Sequence, residues 1–240
     1  MVGCLYNGSM TLSKKAVVVH SGGMDSSLCL ALAVKDHGAA QVLSLSFEYG
    51  QRHGNEVARA AKIAAHMSVD HASLELHCLG EITQNALTKN IPITHTANSA
   101  PNTLVAGRNG LMARLAGIHA YGLGASQIYL GVMELEGANS GYRDCSRAYM
   151  DLIQAALRLD FAQPDFEIMT PLVSMTKLET MELGHHLGVL EYLLENTVTC
   201  YEGQPHEGCG KCPACKLRNE GVRSFVQRHP QVNFSWKTKI

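Results

Sequence analysis

The string Ala16-Val17-Val18-Val19-His20-Ser21-Gly22-Gly23-Met24-Asp25-Ser26-Ser27 constrains the fold more than any other part of the chain. A short β-branched run reads as a buried strand, and apolar residues at helical spacing follow at Leu28, Leu32 and Val34. Between them lies a Ser-Gly-Gly turn. Glycines let a backbone turn sharply and approach a ligand. Successive backbone N–H groups at a helix N-terminus then make an anion site, which the helix dipole reinforces. Ser21, Ser26 and Ser27 add hydroxyl donors. An ordinary strand–turn–helix with Asp25 as N-cap uses the same residues, but serines on both sides of the glycines favour a phosphate loop at the carboxyl edge of an open sheet.

The rest of the chain repeats this alternation. Strands are expected at 16–20, 41–47, 71–76, 127–132 and 166–170, the last stopped by Pro171. Helices are expected at 26–35, 56–67, 109–121, 142–159, 176–187 and 189–194, with one more near the C-terminus. The fold class is therefore α/β, a doubly wound and mainly parallel sheet with a small C-terminal zinc-binding segment. The expected organisation is a poorly ordered leader over 1–15, a nucleotide-binding domain over 16–195, and a zinc-binding segment with a helix over 196–240. The stretch from Gly80 to Gly107 is long for a connection, and such loops are usually functional. A chain of 240 residues, 46% hydrophobic and 17% charged, is large enough to bury a core without disulfides.

Four of the eight cysteines form one short cluster, Cys200-x8-Cys209-x2-Cys212-x2-Cys215. Two overlapping C-x2-C steps, with Gly208 and Gly210 for tight turns, suit tetrahedral Cys4 coordination of zinc. An iron–sulfur cluster or a redox pair are the competing readings. His206 is a possible substitute ligand, but a solvated loop residue is the expectation for it.

Ser21-Gly22-Gly23-Met24-Asp25-Ser26 resembles the SGGxDS signature of the PP-loop ATP pyrophosphatases, which cleave ATP between the α and β phosphates. No Gly-Lys-Ser or Gly-Lys-Thr of a Walker A loop occurs. Together with Tyr49-Gly50-Gln51-Arg52-His53, Gly107-Arg108-Asn109, Ser140-Gly141-Tyr142, Asp144-Cys145 and the cysteine cluster, this string resembles the 7-cyano-7-deazaguanine synthases of the queuosine pathway. The resemblance runs from about Lys14 to Trp236. It implies an ATP-dependent carbon–nitrogen ligase that takes 7-carboxy-7-deazaguanine and ammonia to the nitrile by adenylation, through an amide. It also implies structural Zn2+, Mg2+ with ATP, a homodimer and a cytoplasmic location.

Site roles follow from the same resemblance. Ser21, Gly22, Gly23, Met24, Asp25, Ser26 and Ser27 are expected to bind the phosphates of ATP, with Asp25 also a contact for Mg2+. Lys177, Arg52 and Arg108 are the expected catalytic cations. Asn109, Glu134 and Asp144 are expected to read the guanine-like ring. Cys200, Cys209, Cys212 and Cys215 are the expected metal ligands. Arg143 stands where the family usually carries proline, and Ala106 replaces another proline; Arg143 is expected to be a solvated loop residue.

Three rival readings are a PP-loop tRNA-modifying enzyme, with Cys209 and Cys212 catalytic, a paralogue with a different acceptor, and a non-enzymatic, zinc-stabilised nucleotide-binding module. A net charge of −1 argues against bulk binding of tRNA or duplex DNA, so no nucleic-acid partner is expected. No run of about 18 apolar residues is present, so no membrane partner is expected either.

Overall fold

A computed structural model describes residues 14–49, 55–82, 104–134 and 142–240. Five strands, β1 (Ala16–Val19), β2 (Val42–Glu48), β3 (Asp70–Glu75), β4 (Gln127–Leu130) and β5 (Glu167–Met169), form one sheet in the order β3-β2-β1-β4-β5. Every pairing is parallel. A parallel sheet needs crossovers, and its strands are covered on both faces. The helices among the described residues are α1 (Met24–His37), α2 (Asn55–His66), α3 (His77–Ile82), α4 (Arg108–Gly122), α5 (Arg147–Phe161), α6 (Lys177–His186), α7 (Leu190–Asn196) and α8 (Pro213–Arg228).

The period of two along each strand divides the core. Ala16, Val18 and Val42 face one layer with Leu28 of α1, Ile63 of α2, Met181 of α6, Leu193 of α7 and Phe225 of α8. Val17, Leu43, Leu45 and Phe47 face the other, with Ala113 and Ala116 of α4 and Leu157 of α5. The chain leaves β1 to build β2 and β3 on one side, then returns to place β4 on the other. That reversal puts the switch point, where ligands bind in such sheets, at the carboxyl ends of β1 and β4.

Several boundaries differ from expectation. Lys14 belongs to the fold and not to a leader. Its ammonium is buried, donating to Asp70 Oδ2 at 2.6 Å and to the Ala40 carbonyl at 2.8 Å. Helix α1 begins at Met24, because Gly23 is extended (φ −84°, ψ 165°) and serves as N-cap; Asp25 therefore sits inside the first turn. Within the segment 196–240, Val222, Phe225, Phe234 and Trp236 pack into the same core as α1. The region expected as one helix over 142–159 opens as a 3-10 turn at Arg143–Cys145, and Ser146 then caps α5.

Candidate active site and metal centre

The loop between β1 and α1 is built from its own serines. Ser26 Oγ donates to the Gly23 carbonyl at 3.1 Å and accepts from Ser21 N at 3.2 Å, while Ser27 Oγ donates to the same carbonyl at 2.8 Å. Gly22 has φ +74°, and a Cβ there would lie 2.8 Å from the Glu56 carbonyl oxygen, so only glycine fits between the loop and α2. Gly23 offers no side-chain cap, leaving the first N–H groups of α1 free of one.

These groups open on a cleft of about 190 Å³ at the switch point. Ser21, Gly23, Asp25 and Ser26 line it, with Arg108 and Asn109 of α4, Tyr49 after β2, and Glu56 of α2. Of the residues expected on phosphate, Gly22, Met24 and Ser27 do not line the cleft. Met24 and Ser27 point into the interior, and Ser27 is fully buried. Arg52 lies outside the described residues.

Lys177 meets the loop from 152 residues away in sequence, donating to Oδ1 and Oδ2 of the cleft-lining Asp25 at 2.8 Å each. Met133 Sδ lies 3.1 Å from the same ammonium. Thr176 caps α6 in a full capping box with Glu179, which sets Lys177 as the first helical residue. Arg108 donates to Tyr49 Oη at 3.2 Å and lies over that ring. Burial works against its charge, but the oxygens of Tyr49, Tyr142, Asp144 and Glu56 outweigh it and hold its pKa above the ordinary arginine value. Glu56 was not singled out from sequence, where it reads as the polar start of an amphipathic helix. Burial pushes its carboxyl up, against the pull of Arg108 and Arg59.

The three residues expected on the ring are not equivalent. Asn109 lines the cleft, and its backbone N–H donates to Asp144 Oδ2 at 2.9 Å. Asp144 is buried, and its Oδ1 has no hydrogen-bond partner among the described residues. A buried carboxylate oxygen without a donor is rare enough to mark a place for one. Glu134 is exposed and does not line the cleft; its Oε2 lies 3.4 Å from Arg147 N at the start of α5. Arg143 is exposed.

The four clustered cysteines converge. Their sulfurs all lie within 4.8 Å of one another. Tetrahedral zinc with Zn–S of about 2.3 Å needs sulfurs about 3.8 Å apart, so the donor set fits. Cys212 is the N-cap of α8, accepting from Cys215 N, and Pro213 follows it. Beside the cluster, Arg218 is buried, with its guanidinium 5.1 Å from the centre of the Trp236 ring. Burial lowers the Arg218 pKa, and the charges of Cys215, Cys200 and Cys212 oppose that shift. His206 is not a member of the cluster and stacks on Trp236 instead.

The helix that follows the cysteine cluster packs against Lys177. Gly221 of α8 lies so close to α6 that a Cβ there would sit 2.6 Å from Lys177 Cβ. Overpacking of this kind costs about 1–3 kcal/mol. Gly221→Ala is therefore expected to lower stability to chemical denaturation by that amount and to weaken ATP turnover as Lys177 shifts. Unchanged stability together with unchanged turnover would refute the contact.

A solved NMN synthetase from Francisella tularensis is 17% identical, with 93% of this chain and 88% of that one covered and a TM-score of 0.47. The U34-tRNA thiolase NcsA from Methanococcus maripaludis, solved with its 4Fe–4S cluster, is 13% identical, with 96% and 78% covered and a TM-score of 0.48. An NH3-dependent NAD synthetase from Campylobacter jejuni is 15% identical, with 91% and 76% covered and a TM-score of 0.47. The family model for queuosine biosynthesis protein QueC matches residues 15–226, a span holding the loop, the cleft and all four clustered cysteines. The chain belongs to the QueC family.

Proposed function

We propose that this chain is an ATP-dependent ligase converting 7-carboxy-7-deazaguanine and ammonia to 7-cyano-7-deazaguanine. The observation that carries this reading is one cleft, in a QueC-family chain, lined by the β1–α1 loop, Arg108 and Asn109, with Lys177 bonded to Asp25 and Asp144 to Asn109 directly behind that lining.

The chemistry suits these groups. A carboxylate oxygen is a poor leaving group until it attacks the α-phosphorus of ATP and expels pyrophosphate. Ammonia then displaces AMP from the acyl adenylate, giving the amide. The amide oxygen is adenylated by a second ATP, and loss of AMP with the remaining N–H protons leaves the nitrile. The loop and the N-terminus of α1 hold the phosphates. Lys177 offsets charge that develops on the departing pyrophosphate, and Arg108 holds the substrate carboxylate or a phosphate. Asp25 is the one carboxylate of the loop, and a single carboxylate plus phosphate oxygens is a common Mg2+ environment.

Asp144 Oδ1 takes the ring N–H donors in this reading, with Asn109 beside it. Asp144→Asn is expected to raise the KM for 7-carboxy-7-deazaguanine by about tenfold or more, because an amide donor would replace a charged acceptor. ATP affinity should stay within twofold. An unchanged KM would remove Asp144 from the pocket.

Zinc at Cys200, Cys209, Cys212 and Cys215 is structural here, since no cysteine lines the cleft among the described residues. That also weighs against Cys209 and Cys212 as thiolation catalysts. A homodimer in the cytoplasm completes the reading. It is supported by the exposed apolar side chains of Leu111 and Ile118 on α4 and Leu152 and Leu159 on α5, which a second copy would cover. Among the described residues, no helix is long and apolar enough to cross a membrane.

The deciding experiment is incubation with 7-carboxy-7-deazaguanine, ATP, Mg2+ and ammonium, followed by mass analysis. The nitrile, with two AMP per product, is expected. Replacing ammonium by glutamine should stop the reaction. AMP formed only when tRNA is added would favour the tRNA-modifying rival.

A further inference from the structure

Behind the phosphate loop, four side chains join in a file that the reaction scheme does not use. Ser27 Oγ lies 3.0 Å from His20 Nε2, and His20 Nδ1 lies 2.8 Å from Ser44 Oγ. Ser44 Oγ in turn lies 2.9 Å from His71 Nδ1. The file crosses three neighbouring strand positions, because Ser44 on β2 pairs with His71 on β3 and His20 follows β1. His20, Ser27 and Ser44 are each wholly buried.

Hydrogen counting gives the file a direction. A hydroxyl has one hydrogen, and a neutral imidazole has one N–H. Ser27 donates its hydrogen to the Gly23 carbonyl at 2.8 Å. The hydrogen between Ser27 and His20 must then come from His20 Nε2. A neutral His20 is left with Nδ1 as acceptor, so Ser44 donates to it. Ser44 has then spent its hydrogen, and His71 Nδ1 must donate to Ser44. That leaves His71 Nε2 as a bare acceptor, and it is a buried ring atom with no partner among the described residues. The reverse direction would take the hydrogen from the Gly23 carbonyl and leave a buried N–H unpaired at His71, and orphaned N–H groups are rarer than under-used acceptors. Burial, and then the neighbouring His71, push the His20 pKa down to about 3, so the imidazole is neutral at pH 7.

We propose that His20 is a positioning residue of the phosphate loop, whose Nε2–H locks the Ser27 hydroxyl onto the Gly23 carbonyl. Gly23 is the N-cap of α1 and has no side chain to hold itself in place. Pinning its carbonyl along the helix keeps the first N–H groups of α1 facing the cleft, where they meet an anion. The inference rests on the reading of this loop as the ATP phosphate site.

The test uses the full-length protein and two independent readouts. Nitrogen-15 NMR of the imidazoles at pH 7 should show His20 neutral with its proton on Nε2, and His71 neutral with its proton on Nδ1. Binding of Mg·ATP is measured alongside. His20→Phe, which removes both ring nitrogens, is expected to raise the Kd about tenfold. His20→Gln, which keeps a donor near the Nε2 position, should stay within threefold. In a Ser27→Ala background, His20→Phe should add less than twofold, because His20 acts through Ser27. Should His20→Phe fail to fold, Ser44→Ala replaces it, with about a threefold rise expected. Opposite tautomers in a protein that binds Mg·ATP, or equal losses with and without Ser27, would overturn the proposal. Failure of the wild-type protein to bind Mg·ATP would overturn the phosphate-site reading beneath it.

Discussion

Lys177→Met should lower ATP-dependent AMP formation by about 10²–10³-fold, the loss typical when one preorganised group facing transition-state charge is removed. The ammonium is buried, with 5% of its side chain exposed, and both hydrogen bonds to Asp25 are 2.8 Å long. A cation so held is already desolvated and aimed, so no reorganisation is needed when pyrophosphate begins to leave. The stability cost should be smaller than the activity loss suggests. Breaking a fully buried ion pair costs about 3–5 kcal/mol, because the remaining charge is stranded. Asp25 is 25% exposed and lines the open cleft, where water can reach it. A melting temperature close to wild type, with turnover nearly abolished and Mg·ATP still bound, is the expected combination. Turnover within tenfold of wild type would take Lys177 out of the chemistry.

The parts of this molecule legible in sequence are those written as patterns. Ala16–Val19 is a continuous apolar run and Val42–Glu48 carries Val42, Leu43, Leu45 and Phe47, because a parallel strand is buried on both faces. The Ser-Gly-Gly turn was legible because the geometry of the loop demands glycine: Gly22 is at positive φ against α2. The cysteine spacing marked a four-sulfur site for a similar reason: the donors are close in sequence as well as in space.

What was not legible depends on pairings between distant residues. Lys14 resembles a leader lysine until Asp70 is placed beside it. Asp25 looks like a helix cap, and only the fold of the whole chain brings Lys177 to it. Ser44 and His71 read as polar interruptions in their strands; the sheet register turns them into partners. Asp144 was singled out as a reader of the ring, but one of its oxygens holds the N-terminus of α4, which no local pattern reveals. Glu134, singled out on the same grounds, ends at the surface near α5.

With the proposed structural zinc at the four cysteines, removing the metal should unfold the C-terminal segment and silence the cleft together. Structural zinc contributes about 10–16 kcal/mol of apparent free energy in small peptides, which exceeds the total stability of many domains. Here the four sulfurs are the local core of their loop: Cys215 is fully buried, and Cys200 and Cys212 are nearly so. Without metal, four thiols held within 4.8 Å would replace strong bonds with weak contacts. Helix α8 starts at Cys212, and its Gly221 rests directly on Lys177, so fraying of α8 releases the cation from below. The sheet should survive, because β1 to β5 do not pass through the cluster. The chain has one tryptophan, Trp236, buried and in contact with Arg218 and His206, which makes the event visible. Cys215→Ser, or a strong chelator on the wild-type protein, is expected to remove one metal ion per chain and to red-shift the Trp236 emission. AMP formation should fall at least a hundredfold while most far-ultraviolet dichroism remains. Loss of the metal with Trp236 emission and turnover both unchanged would show that the cluster supports neither α8 nor Lys177.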